Sequence, residues 1–128
     1  MAKLKATPTN FVNANLYLGA RDSVRLGNNT YLERITRGDG YGGYVGDVGC
    51  IGVRLHNTYI VKFYQDGRVT LHTGGWRTVT TKDRINQFVS GVVFQRNFDW
   101  FYAHATETGI DWKHTEDFTE GMEVQVNG

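Results

Sequence analysis

Proline and cysteine each occur once in 128 residues, and Ser23 and Ser90 are the only serines. A lone Cys50 excludes an internal disulfide and reads as a buried thiol rather than a reactive one. Without a G-x-S-x-G turn, the two serines leave no basis for nucleophilic serine chemistry. One cysteine and four scattered histidines disfavour zinc. Asp39, Asp47, Asp66, Asp83 and Asp99 are accounted for by turns or a helix cap, so no carboxylate cluster for a metal nuclease is expected. Neither G-x-x-x-x-G-K-[ST] nor a G-x-G-x-x-G opening a helix is present, which removes the nucleotide-loop motifs. No apolar run approaches a membrane span, and MAKLKATPTN lacks the hydrophobic region of a signal peptide. The expectation is a protein with no cofactor, no metal and no membrane partner.

What is abundant is glycine (16 residues) and aromatic side chains (13%), a balance that favours strands and turns over helices. The length suits a single domain spanning 1–128. The predicted fold class is α+β, mainly an antiparallel, twisted or partly closed sheet carrying one short helix at 81–89. Residues 1–10 are polar and expected to be mobile. Residues 11–18 are ambiguous, with Phe11, Leu16 and Leu18 as anchors. Residues 24–26 and 30–36 read as strands around a Gly27-Asn28-Asn29 turn, because Gly and Asn tolerate positive φ. Residues 38–49, GDGYGGYVGDVG, hold six glycines and two tyrosines and read as a flexible loop.

Residues 50–55, 59–64 and 68–73 form a three-stranded meander, joined at His56-Asn57-Thr58 and Gln65-Asp66-Gly67. A two-residue Asp-Gly loop at the second turn would put Val69 and Leu71 on the opposite face from Val61 and Phe63. A three-residue loop with a left-handed Gly67 pairs Tyr64 with Arg68 and places all four on one face. Register follows the buried face, so the three-residue loop is expected. The other face then carries Arg54, Lys62, Tyr64, Arg68, Thr70 and His72, with Ile60 among them. Cations interleaved with an aromatic on strands suit a nucleic-acid platform, and equally a solvated sheet face.

Residues 74–86, GGWRTVTTKDRIN, put a tryptophan, three threonines and three cations between this meander and a helix. Too few large apolar side chains are present for a core segment, so the stretch reads as a specified polar connection. Thr80 and Asp83 suggest a capping box, and Ile85, Phe88 and Val89 form the buried stripe. Lys82, Arg84 and Asn86 are expected to face away from it, near a helix start that favours an anion. Residues 92–104 read as an aromatic hairpin turning near Arg96-Asn97 or as one long strand, 105–121 as an acidic irregular segment, and 122–126 as a last strand. Residues 105–128 carry six acids against Lys113, while residues 1–104 carry 13 cations against 7 anions. A basic body with an acidic tail is compatible with polyanion binding restrained by the chain's own C-terminus.

NNTYLER (28–34), VRLHNTYIV (53–61), VTLHTGGW (69–76) and TVTTKDRIN (78–86) together resemble a group of small tailed-bacteriophage proteins. The resemblance covers roughly residues 24–90, with the glycine-rich loop and the C-terminal 38 residues as additions. It implies phage origin, in host cytoplasm or virion, and carries no activity. The His56-x-Thr58 and His104-x-Thr106 pairs separately resemble the doublet of two-histidine phosphoesterases, which implies phosphodiester chemistry without metal. Binding is the favoured reading over catalysis. Arg54, Lys62, Tyr64, Arg68, His72, Trp76, Arg77, Lys82 and Arg84 would hold DNA, RNA or another phosphate-bearing ligand, with Tyr64 and Trp76 stacking on bases. The alternatives are a virion or host-protein-interaction protein, homo-oligomeric or not, and the phosphodiesterase.

Overall fold

The computed structural model describes residues 3–36 and 40–124. Among these residues the element order is α1 (Phe11–Leu18), β1 (Ser23–Gly27), β2 (Thr30–Arg34), β3 (Ile51–Leu55), β4 (Thr58–Phe63), β5 (Val69–Leu71), α2 (Val79–Asn86), β6 (Val92–Arg96), β7 (Asp99–Thr106), β8 (Gly109–Asp117) and β9 (Met122–Val124). A six-stranded sheet runs β1-β2-β3-β4-β5-β9 and a three-stranded sheet β6-β7-β8. Every pairing is antiparallel, so the fold is α+β with mainly antiparallel sheet.

The β4–β5 turn takes the three-residue form. Gly67 sits at φ 97, the Tyr64 N–H donates to the Arg68 carbonyl at 2.9 Å, and Phe63 and Val61 face Val69 and Leu71. All four side chains are buried in one core with Val53 and Leu55. The β3–β4 connection is shorter than expected, because Leu55 faces Thr58 and only His56 and Asn57 form the loop. Between these strands Val53 faces Val61 while Arg54 faces Tyr59, which leaves Ile60 as the extra residue of a β-bulge. The bulge turns Ile60 into the main core beside Val61 and gives its place on the polar face to Tyr59. Strict alternation along β4 would not have produced that exchange.

Residues 11–18, ambiguous in the sequence, are a helix. The Asn10 side chain accepts from the Asn13 N–H at 2.8 Å, and Gly19 at φ 60 ends the helix. Ala14 and Leu18, four residues apart, are its buried positions; Leu16 is 73% exposed and anchors nothing. Arg34 on β2 donates to the Asn15 side chain and the Gly19 carbonyl, both at 2.8 Å, and so fastens the helix to the sheet.

The second helix starts two residues before the expected one. Thr78 is its N-cap, accepting from the Thr81 N–H at 3.1 Å, so the Thr80–Asp83 pair is not the cap. Thr81, Arg84 and Ile85 form the buried face at i, i+3, i+4, with Phe88 beyond the helix end. Arg84 therefore turns inward, against expectation. Asn86 points to neither face of the stripe: its side chain donates to the Val93 carbonyl at 2.9 Å and accepts from the Val93 N–H at 2.7 Å. One amide thereby satisfies an open edge of β6.

Two further segments differ from their sequence reading. Leu4 is buried in the core and the Lys5 N–H donates to the Leu26 carbonyl, so the N-terminal stretch lies along β1. Residues 109–117 form an edge strand instead of an irregular segment. Its side chains are almost all exposed, so no apolar alternation marks it. The hairpin before it turns at Asn97-Phe98, with φ 51 and 72. Residues 38, 39, 125 and 126, which the loop and last-strand readings include, lie outside the described residues.

The principal core gathers Leu18, Leu26, Leu32, Phe63, Leu71, Ile85 and Phe88, and the small sheet joins it through Val93, Trp100 and Tyr102. Gly91 enables that junction: its N–H donates to the Tyr102 hydroxyl at 3.1 Å. A Cβ there would collide with that hydroxyl and the Ala103 carbonyl oxygen. Gly91→Ala is expected to lower stability by about 1–3 kcal/mol in urea unfolding. Gly46→Ala, with open space at its Cβ, is the control, and equal effects of the two would refute the close approach.

Candidate functional site

The polar face of the large sheet brings the expected cations together and neutralises them internally. Residues 40–50 lie over this face, with a short 3-10 turn at Val45–Asp47. The Lys62 ammonium, almost wholly buried, donates to the Asp47 carboxylate at 2.9 Å and the Gly42 carbonyl at 2.7 Å. Its charge also lies 4.9 Å from the Tyr44 ring centroid. The Tyr64 hydroxyl donates to the other Asp47 oxygen at 2.8 Å. Burial pushes the Asp47 carboxyl up, but hydrogen bonds from Lys62 and Tyr64 and the ammonium charge outweigh it and hold the group below its ordinary value. Burial, with the Asp47 hydrogen bond, raises the Tyr64 phenol to about 12, and burial raises the Cys50 thiol to about 12, so Cys50 is the inert thiol expected.

Arg54 makes a bidentate pair with Glu33 at 2.9 and 3.0 Å and donates to the His56 carbonyl at 2.7 Å. Its guanidinium lies 4.4 and 4.5 Å from the ring centroids of Tyr31 and Tyr41. Arg68 pairs with Asp66 at 2.8 Å and Glu123 at 3.7 Å. His72 shares a 2.9 Å hydrogen bond with Thr70; burial, aided by the nearby Lys62 charge, lowers its pKa to about 4. Arg77 turns toward Glu120 at 3.8 Å and Phe118. Lys82 is half-buried in the first turn of α2. The Arg84 Nε and Nη1 are buried with no hydrogen-bond partner among the described residues.

A separate groove of about 450 Å³ opens beside the start of α2. Its apolar floor is Leu55 and Ile60, the second delivered there by the β4 bulge. His56 and Asn57 of the β3–β4 loop and Thr58 at the start of β4 line it, together with Thr73, Thr78, Thr80 and Thr81. Trp76 stands at its margin, 69% exposed. Gly74 and Gly75, at φ 62 and 89, turn the chain sharply enough to present it. The Thr78 cap satisfies the Thr81 amide, and an α-helix leaves its other first-turn amides without intrahelical partners. These amides and the helix dipole make the end of the groove favourable to an anion.

The groove gathers Trp76, His56 and Thr58 from the sequence candidates. His104 and Thr106 are not in its walls: His104 pairs with Glu116 at 2.7 Å, and the Thr106 hydroxyl donates to the Gly109 carbonyl at 2.7 Å. The phosphoesterase doublet is thus split between two environments. Asp47 and Glu120, which organise the polar face and the Thr73 turn, were missed. The acidic tail was the only signal for Glu120, and a turn-type Asp among glycines gave none for Asp47.

These features define a small α+β protein with a self-neutralised sheet face and a groove at a helix start. The chain belongs to the Kyanoviridae Gp96 protein family, whose model matches residues 23–125, and it is a phage-associated protein. That span runs through the glycine-rich stretch and reaches residue 125, further than the expected 24–90. No curated protein and no solved structure matches the chain.

Asp47→Ala would strand a buried ammonium and is expected to cost roughly 3–5 kcal/mol, read by denaturant unfolding. An acid titration supplies a second check. The neutral His72 ring contributes stability in full above the ordinary value of 6.5, and this is lost as pH falls toward about 4. His72→Gln should flatten the stability decline in that window, and an unchanged slope would show that His72 does not carry it.

Proposed function

We propose that this phage protein binds a nucleotide, free or as one unit of a single strand, in the Trp76 groove. The observation that carries this reading is an exposed tryptophan in the lining of an apolar-floored groove that a helix start and its threonines also line. A base stacks on the indole, the sugar lies against Leu55 and Ile60, and phosphate reaches the hydroxyls and amides near Thr80 and Thr81. The volume of about 450 Å³ falls within the range of roughly 300–1,000 Å³ for small-molecule sites. Sheet-face binding has less support, since Arg54, Lys62 and Arg68 each have a carboxylate partner.

One observation favours protein interaction as a second reading. Tyr44, Val45 and Val48 are 69%, 64% and 54% exposed on the loop that covers the sheet. Apolar side chains grouped in this way suit contact with another protein. A Tyr44→Ser, Val45→Ser variant that binds nucleotides as wild type but no longer captures a host protein would establish that role separately.

Titration calorimetry with ribo- and deoxynucleoside mono- and triphosphates, together with anisotropy of a labelled single-stranded oligonucleotide, tests the nucleotide reading. Trp76→Ala is expected to weaken binding by roughly 5- to 150-fold, the worth of one base–aromatic stack. Arg68→Ala, on the sheet face, should leave it unchanged. The reverse pattern would move the site to the sheet, and no binding by any of these probes would end the proposal.

A further inference from the structure

The turn that presents Trp76 already holds an anion, and that anion is part of the chain. Glu120 lies on the connection from β8 to β9, and one of its carboxylate oxygens accepts from the Thr73 and Gly74 amides at 2.6 and 3.1 Å. The other accepts from the Thr73 hydroxyl at 2.5 Å. The same hydroxyl accepts from the Gly75 amide at 3.1 Å, which aims its proton at the carboxylate. Arg77 stands 3.8 Å from that second oxygen. Two successive amides, a hydroxyl and a guanidinium around one point make a concave anion cradle.

We infer that the Thr73–Gly75 turn and Arg77 form a phosphate subsite of the Trp76 groove, held by the Glu120 carboxylate while no ligand is bound. The assignment rests on the groove reading for its connection to a nucleotide, since Thr73 and Trp76 belong to both turn and groove. Three features favour a displaceable occupant over a permanent strut. The carboxylate meets the amides and the hydroxyl but leaves the guanidinium at ion-pair distance, beyond a good hydrogen bond. A tetrahedral phosphate has further oxygens to offer that guanidinium. Both charged side chains are also accessible, Glu120 at 43% and Arg77 at 40%, so an outgoing carboxylate is rehydrated rather than stranded.

The sign of the charge asymmetry then has a local meaning. Repulsion between an incoming phosphate and Glu120 opposes binding, and the withdrawn carboxylate returns to the cradle when the ligand leaves. The segment 118–121 is thus an internal competitor for the anion subsite. In such a scheme the apparent affinity is reduced by the fraction of molecules in which the subsite is free.

The test is thermal unfolding of the full chain and of Glu120→Ala, with and without inorganic phosphate, at matched ionic strength in chloride. Glu120→Ala is expected to unfold at lower temperature than wild type and to regain much of the difference, saturably, with phosphate. Wild type should respond much less, and Glu120→Ala with Arg77→Ala should lose the response. No phosphate response in Glu120→Ala, or one equal to that of wild type, would overturn the inference and leave Glu120 a structural clamp. Should Glu120→Ala not fold, Glu120→Gln is read in the same way, because it removes the charge and keeps an acceptor. Nucleotide titration separates the two readings. Roughly tenfold tighter binding to Glu120→Ala than to wild type supports internal competition. Phosphate rescue without nucleotide binding would keep the subsite and remove the groove reading. Nucleotide binding to wild type without phosphate rescue would remove only the subsite.

Discussion

The buried pair of Lys62 and Asp47 is the constraint on which much of this molecule depends. Lys62 sits near the end of β4, its charge removed from water, and Asp47 comes from a glycine-rich stretch with little intrinsic order. A buried ammonium is tolerable only when paired and hydrogen-bonded. Asp47, the Gly42 carbonyl and the Tyr44 ring meet that demand together, and meeting it requires residues 40–50 to lie against the sheet. The pair therefore organises a second layer, in which Ile35, Cys50 and Tyr59 pack with Tyr41 and Tyr64 against them. The loop offsets its entropy of ordering by covering a charge that would otherwise be intolerable.

Covering that face redistributes the chemistry of the surface. Arg54, Lys62 and Arg77 each face a carboxylate from another part of the chain, while Arg68 pairs with Asp66 in its own turn and with the distant Glu123. Two of the partners, Glu120 and Glu123, belong to the acidic C-terminal region. The basic body and acidic tail seen in the sequence are thus partly folded onto one another. What remains open is the groove beside α2, where hydroxyls, helix amides and an exposed indole take the place of cations.

The groove depends on two backbone irregularities. The β4 bulge brings Ile60 to the floor, and the Gly74-Gly75 turn lifts Trp76 to the margin. Both sit where β4 begins, β5 ends and α2 begins, and these elements line the groove. The Glu120 carboxylate reaches this corner only because β9 pairs with β5. A contact between residues 73 and 120 is a product of sheet topology, with no local signal in either segment.

Local chemistry was legible from the sequence alone. Gly67 and the need to keep Val61, Phe63, Val69 and Leu71 on one face determined the β4–β5 turn, because a one-residue slip would reverse every side chain. The Trp76 connection, the second helix and the antiparallel α+β class followed from similarly short-range rules. Other features were decided only by tertiary structure: the bulge at Ile60, the inward turn of Arg84, the strand at Gly109–Asp117, and the partners that Asp47 and Glu120 chose. Periodicity records which face of an element is buried, but not which distant charge will meet it. Among sequence-remote carboxylates, a buried ammonium or an open row of amides selects its partner by distance and desolvation, and those exist only once the chain has folded.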